Sequence, residues 1–232
     1  MTDIALRPQT ATSRRALEGI RVVESGFAAA GPLVGKYLAN FGAEVIRLES
    51  RFAPDVFRST YPPFKDNRPG PDRAAMFAFY NDGKRSATLN LKHPRGVELA
   101  RRLILPADVF IESFTPGTVA RLGLGAETLR AEHPGLVVLS SCNQGQTGPH
   151  AFHPGYGSQL SALAGFVHLL GDGDSTPVLL YWPYSDYIAV GYGATAVRAA
   201  PRPPPPPGPA PPTPPRRSAT RWRSLAPAPL PP

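Results

Sequence analysis

The sequence predicts an α/β fold, a mostly parallel β-sheet flanked by helices, with a disordered C-terminal tail. Between residues 17 and 200, short apolar segments of strand length alternate with segments of helical periodicity, the pattern of a parallel α/β sheet. After residue 200 the composition changes abruptly, and residues 201–232 contain half of the chain's 30 prolines. We therefore expect a flexible N-terminus (1–16), a folded portion (17–200) and a disordered Pro/Arg-rich tail (201–232).

Five strands are expected in the folded portion. They cover residues 20–24, 43–48, 86–91, 108–111 and 136–140. Each is short and apolar, which is typical of strands that helices cover on both faces of a parallel sheet. Ligands of such sheets bind beyond the carboxyl ends of the strands, so the turns after these five segments are the candidate binding sites.

Helices are expected between the strands. They cover residues 32–41, 94–104, 118–122 and 126–133, and an apolar run at 188–197 favours another. Pro32 and Pro94 suit the first turn of their helices, and Gly42 suits the position after a helix end. Residues 50–73 are rich in prolines and charges and are expected to form a long loop.

The composition indicates a soluble cytoplasmic protein. The single cysteine, Cys142, excludes an intrachain disulfide, which suits a reducing compartment. No apolar run reaches the roughly 18 residues of a membrane span, and the N-terminus lacks the apolar segment of a signal peptide. We expect no membrane association.

Neither nucleic acid nor a metal is an expected partner of the folded portion. Residues 201–232 hold five arginines and no acidic residue, so only +3 of the net charge of +8 belongs to residues 1–200. The five histidines lack metal-ligand spacing, since His150 and His153 have no apparent third ligand. We expect no metal and no prosthetic group.

Several residues in the turns have both a functional and a structural interpretation. The small residues at 26–32 could admit a phosphate or adenine to a helix N-terminus, or could form a tight turn. The cations Lys84, Arg85, Lys92 and Arg121 could bind phosphates or could be solvated charges. No G-x-G-x-x-G follows the first strand and no P-loop motif is present, which removes the main support for NAD or P-loop chemistry.

Asp186 and Cys142 are the candidate nucleophiles. Asp186 precedes the apolar run at 188–197, where a carboxylate is either an ionised nucleophile or an ordinary first-turn acid. Cys142 has no evident general base beside it in the sequence, which favours a buried structural thiol.

Six segments together resemble one family, the class III CoA-transferases, which include the formyl-CoA and carnitine CoA-transferases. They are LEGIRVVESGFAAAGP, LANFGAEVIRLES, NDGKRSATLNLKHPRG, ADVFIESFTPGTVARLGLG, GQTGPHAFHPGYG and YSDYIAVGYGAT, in this order from residue 17 to about 200. The resemblance implies a Rossmann-like domain joined to a smaller one, and an interlocked homodimer. It also implies acyl-CoA and carboxylic acid substrates.

The resemblance implies a coenzyme A site at the strand ends. Its residues would be Ala28, Ala29, Ala30, Arg51, Leu89, Asn90, Leu91, Lys92, Ser113, Phe114, Thr115 and Arg121. The sequence departs from the family at several positions: Ser50 stands where many members carry arginine, Pro154 where some carry lysine, and Asn81 and Asn90 where arginine and aspartate are more frequent.

The family's nucleophilic aspartate falls on Asp186. The implied mechanism is ping-pong, through aspartyl-acyl anhydride and aspartyl-CoA thioester intermediates. A 2-methylacyl-CoA racemase branch shares the fold but uses the His and Asp of a GHD turn. This sequence has Gly-Tyr-Gly at 155–157 instead, which favours the transferase.

The family pattern stops near residue 200, where an RTGxGQ turn and a second domain would follow. We therefore expect a truncated chain with little or no transferase activity, exposed apolar surface around residues 188–197, and a tail that resembles a shifted reading frame. Two alternatives are a non-catalytic CoA- or nucleotide-binding module whose proline-rich tail recruits SH3-like partners, and nucleic-acid binding by the basic tail.

Overall fold

The computed structural model describes residues 15–171 and 173–200, and within them five strands form one sheet. The strands are β1 (Arg21–Ser25), β2 (Glu44–Glu49), β3 (Arg85–Thr88), β4 (Val109–Glu112) and β5 (Val137–Ser140). All four pairings are parallel, in the order β3-β2-β1-β4-β5. The expected parallel α/β sheet is confirmed.

Helices connect and cover the strands. They are α1 (Ala30–Asn40), α2 (Val56–Ser59), α3 (Ala75–Asn81), α4 (Pro94–Ile104), α5 (Thr118–Arg121), α6 (Ala126–Glu132), α7 (Gly157–Leu163), α8 (Phe166–Leu169) and α9 (Tyr184–Ala199). A 3₁₀ turn at Lys65–Asn67 lies between α2 and α3.

The chain builds the sheet outward from β1 in two directions: β2 and β3 lie on one side of β1, and β4 and β5 lie on the other. We call this point the strand-order reversal. In the register, Val23 lies opposite Ile46 of β2 and opposite Phe110 of β4. The connections leaving β1 and β4 therefore diverge to opposite faces of the sheet and leave a crevice between them. This is the position at which open α/β sheets bind ligands.

The core has one layer on each face of the sheet, because successive side chains of a strand point to opposite faces. On one face, Val22 and Val109 pack in a cluster with residues of α1 and α9. On the other, Val23 and Phe110 pack with residues of α4 and α6. All four of these side chains are completely buried, which fixes the register of β1 against β4.

The structure shows more local order than the sequence predicts. Residues 50–73, expected as a loop, contain α2, whose N-cap Asp55 accepts a hydrogen bond from the Phe57 amide at 2.8 Å. β3 ends at Thr88 rather than at residue 91, and α3, α7 and α8 were not expected. The expected flexible N-terminus, apart from residues 15 and 16, and the expected disordered tail lie outside the described residues. No helix of the described part is long and apolar enough to cross a bilayer.

Much apolar surface lies exposed in the segment that follows β5. We call ten of its exposed side chains the apolar flank: Phe152, Tyr156, Leu163, Leu169, Leu170, Val178, Leu179, Tyr181, Trp182 and Tyr192. Within the run at 188–197, Ile188 and Tyr192 are exposed as expected, whereas Ala194 and Val197 are buried beside α1. One face of α9 thus belongs to the core, and the other contributes to the exposed surface.

Candidate active site

Two adjoining clefts lie at the carboxyl end of the sheet. The central cleft, of about 580 Å³, is lined by residues that follow β1, β4 and β5, by residues 151–156, and by the beginning of α9. The side cleft, of about 410 Å³, is lined by residues that follow β2 and β3 and by α5. Phe27 and Phe114 line both clefts, so the two are neighbours at the strand-order reversal.

Asp186 lies in the first turn of α9 and lines the central cleft. Its amide donates to the Pro183 carbonyl at 2.9 Å, which holds the start of the helix. Burial raises the pKa of the Asp186 carboxyl to about 6, and a hydrogen bond from the Gly157 amide opposes that rise. Above pH 6 this carboxylate is ionised although it is poorly solvated, the state in which a carboxylate is most nucleophilic.

Gly157 allows α7 to approach Asp186 closely. A Cβ at this position would lie 2.8 Å from both Cγ and Oδ1 of Asp186 and 2.7 Å from Cβ of Pro183. Separations this short are repulsive, so no larger residue fits without displacing the carboxyl group. Residue 157 must be glycine if the amide is to donate to the carboxylate.

The residues predicted for coenzyme A divide between the two clefts. Ala28, Ala29, Ala30, Ser113, Phe114 and Thr115 line the central cleft together with Asp186. Leu89, Asn90, Leu91, Lys92 and Arg121 line the side cleft, again with Phe114. Arg51 is exposed and lines neither cleft, although its neighbours Ser50 and Phe52 line the side cleft.

The turn between β1 and α1 is shaped by two side chains from elsewhere in the fold. Ala28 has φ of 57°, a left-handed conformation that costs a non-glycine residue on the order of 1 kcal/mol. Its amide donates to Oδ2 of Asp55 at 2.9 Å, and the Phe27 amide donates to Oγ of Ser113 at 2.7 Å. These two bonds hold the wall between the clefts.

A buried ionic network lies beneath this turn. Arg47 donates to Oε1 of Glu24 at 2.7 Å and to Oδ2 of Asp55 at 2.6 Å, and Lys84 donates to Oε2 of Glu24 at 2.8 Å. All four side chains are at most 3% exposed. Burial lowers the pKa of Lys84 to about 8, against the opposing attraction of Glu24. Sequence reasoning missed this network; its only signal was two charges, Glu24 and Arg47, inside predicted strands.

The network changes the interpretation of the cations near β3. Lys84 is bound to Glu24 and is not available to a phosphate, and exposed Arg85 pairs with Glu44 at the amino ends of the strands, away from the clefts. Lys92 and Arg121 do line the side cleft. Arg47 lines it as well, and its buried Nε has no hydrogen-bond partner among the described residues. The side cleft therefore offers cationic groups to an anionic ligand.

Cys142 lines the central cleft and is partly exposed, so it is not the buried structural thiol that the sequence favoured. Its sulfur accepts a hydrogen bond from Gln146 Nε2 at 3.3 Å. No group of three or more His, Cys, Asp or Glu residues in the described part is arranged to hold a metal ion.

The model of CoA-transferase family III matches residues 17–203. The chain belongs to this family. The succinate–glutarate CoA-transferase of Agrobacterium fabrum is 38% identical over 185 residues, which is 79% of this chain and 46% of that protein. The mouse succinyl-CoA:glutarate CoA-transferase is 36% identical, over 74% of this chain and 38% of that protein.

Solved structures with more than 30% sequence identity to this chain show the same fold. A CAIB/BAIF family protein from Brucella suis superposes with a TM-score of 0.74 at 36% identity, covering 80% of this chain and 48% of that one. A Mycobacterium tuberculosis protein gives 0.71 at 33% identity, covering 80% and 50%. The chain spans about half the length of the relatives and structures that it matches.

Proposed function

We propose that this chain forms the coenzyme A-binding and nucleophile-bearing part of a CoA-transferase that moves CoA from an acyl-CoA thioester to a carboxylic acid. Asp186 carries the proposal, because its carboxylate is partly desolvated, receives the Gly157 amide and lies in the central cleft. Family membership supports transfer of CoA, and relatives named for succinyl-CoA, glutarate and malate point to dicarboxylic substrates.

The proposed reaction has two halves. The Asp186 carboxylate attacks the thioester carbonyl, the C–S bond breaks, and a mixed aspartyl-acyl anhydride and CoA thiolate form. The thiolate then attacks the aspartyl carbonyl, which releases the first carboxylate and leaves an aspartyl-CoA thioester. The acceptor carboxylate attacks this thioester, the C–S bond breaks, and a second anhydride and free CoA thiolate form. Attack of the thiolate on the acceptor's carbonyl forms the new acyl-CoA and regenerates Asp186.

Coenzyme A is proposed to lie across both clefts. The wall that they share, formed by Phe27 and Phe114, lets one extended ligand contact Asp186 at one end and the cations Lys92 and Arg121 at the other. Its phosphates would lie beside these cations, and charge-assisted hydrogen bonds to them are the strong kind. The thioester would then lie beside Asp186 in the central cleft.

Covalent labelling tests the proposal. Incubation of the full chain with succinyl-CoA is expected to activate Asp186, and hydroxylamine then converts this residue to a hydroxamate that peptide mass spectrometry locates. The rate of labelling should fall below about pH 6, where the carboxyl group of Asp186 becomes protonated. Asp186→Asn should give no label, whereas Asp174→Asn, at an exposed aspartate, should label normally. Equal labelling of the Asp186→Asn variant would refute the role of this residue.

A further inference from the structure

Contacts from two helices hold the backbone of Gly157. Its carbonyl oxygen accepts hydrogen bonds from Oγ of Ser161, in α7, at 2.8 Å and from Oγ of Ser185, in α9, at 2.9 Å. Its backbone lies against the carboxyl group of Asp186, because a Cβ at this position would be only 2.8 Å from Oδ1 of Asp186. One glycine thus joins the helix that carries the aspartate to the helix that packs against it.

A glycine needs such restraint more than any other residue. Without a Cβ it samples a wide range of φ and ψ, and only a small part of that range directs its amide at a given acceptor. The two hydroxyl groups hold the Gly157 carbonyl and so restrain this residue where it lies against Asp186.

We propose that Ser161 and Ser185 are positioning residues, which hold Gly157 against the Asp186 carboxyl group. The inference rests on the proposed function only in taking Asp186 as the nucleophile. Ser161 is 2% exposed and does not line the central cleft, so it acts through Gly157 and not on a substrate.

The convergence of two donors distinguishes this site from a common helix feature. A serine or threonine hydroxyl often bonds to the carbonyl four residues earlier in its own helix, as Ser161 does. Thr195 of α9 shows the ordinary version, donating to the Gly191 carbonyl at 2.8 Å on an exposed surface. At Gly157 a second hydroxyl donates from another helix, and the same residue lies against the carboxyl group of Asp186.

Few other titratable groups line the cleft that holds Asp186. Cys142, His153 and Tyr156 line the same cleft, and among the described residues no other Asp, Glu, Lys or Arg lines it. Behind the site, the Tyr80 hydroxyl lies 2.6 Å from that of Tyr187. Burial, the Tyr187 hydrogen bond and the charge of Asp186 together raise the pKa of Tyr80, so this phenol stays neutral while Asp186 titrates.

The test measures the protonation of Asp186 without a substrate. In the full chain labelled with ¹³C at the aspartate carboxyl, the signal of Asp186 is assigned by its loss in Asp186→Asn and followed against pH. The Ser161→Ala/Ser185→Ala variant is expected to raise the pKa of Asp186 by about 0.5–1 unit, because the carboxylate loses part of the amide's stabilisation. Ser185→Thr, which keeps the hydroxyl, and Thr195→Ala should leave the pKa unchanged.

An unchanged pKa in a folded double variant would overturn the inference, as would an equal shift in Thr195→Ala. If the double variant does not fold, Ser185→Ala alone decides by the same criterion, since this side chain is only half-buried. The pH dependence of carbodiimide labelling at Asp186 measures the same pKa at low protein concentration. The wild-type chain's failure to react with succinyl-CoA would count against the proposed function and not against this titration.

Discussion

At the scale of single residues, the environment of Asp186 opposes ionisation of the Asp186 carboxyl group. Burial raises the pKa of this carboxyl to about 6 from an ordinary value of 3.8, and the Gly157 amide offsets only part of the effect. Because the folded-state pKa lies above the unfolded one, the native state binds the proton more tightly. The contribution of this group to stability is therefore favourable below pH 4 and is lost as the pH rises through 6.

Asp186→Asn is therefore expected to stabilise the fold at pH 8 by on the order of 2 kcal/mol, because the amide occupies the site without a charge. Urea unfolding at pH 8 and at pH 4 measures this, and the gain should vanish at the lower pH. Asp174→Asn is the control, since its exposed side chain should change stability at neither pH. A gain of equal size at both pH values would contradict the linkage.

Arg121→Ala should weaken CoA binding by about 1 kcal/mol, roughly fivefold in Kd, if its guanidinium group meets a phosphate in the side cleft. In the free chain this side chain is exposed and makes one side-chain hydrogen bond, to Thr118 at 3.1 Å. Calorimetry measures the affinity, with Arg130→Ala, at an exposed position of α6, as the charge-matched control. Equal affinities for wild type and Arg121→Ala would remove Arg121 from the site.

At the scale of elements, the ionic network joins the ends of β1 and β2 to the turn before α1. Asp55 is central to it, because its carboxylate accepts from Arg47, from the amide of Ala28 and from the amide of Phe57 that begins α2. The walls of both clefts therefore depend on one buried carboxylate.

Asp55→Ala should destabilise the fold by about 3–5 kcal/mol, because Arg47 and Lys84 then share Glu24 alone and one buried positive charge is left uncompensated. Arg85→Ala, which breaks the exposed pair with Glu44, should cost less than about 1 kcal/mol. Chemical denaturation compares the two variants. Similar losses would show that the buried network is no more important to stability than a surface ion pair.

At the scale of the whole molecule, the apolar flank defined above should drive self-association. Exposed apolar patches of this extent are uncommon on soluble monomers, where they mark interaction surfaces or aggregation sites. Its most exposed members are Leu169, Tyr181 and Tyr192, at 77%, 88% and 76%. The homodimer that the family resemblance implies stays a prediction.

Replacing these three side chains by serine should shift the purified chain toward the monomer, as measured by light scattering across a concentration series. Phe52→Ser is the control, because Phe52 is 79% exposed but lies outside the flank. A monodisperse monomeric wild type would show that this surface remains free in solution.

The alternation of apolar segments and helical periodicity was enough to determine the sheet. Five short strands separated by helices leave few topologies, and local signals such as Pro94 at the start of α4 place helix ends within a residue or two. Short elements were missed, because helices such as α2, α7 and α8 are too short to show a period and depend on contacts with distant residues.

For the site, sequence motifs were enough to single out Asp186 and the turns around it. Only the tertiary structure decided that Lys84 pairs with Glu24, that Asp55 holds Ala28, and that Gly157 meets Asp186. The physical reason is separation along the chain: Lys84 lies 60 residues from Glu24, and Asp55 lies 27 from Ala28. Pairing, burial and the resulting pKa shifts depend on which groups the fold brings together, and no local pattern encodes them.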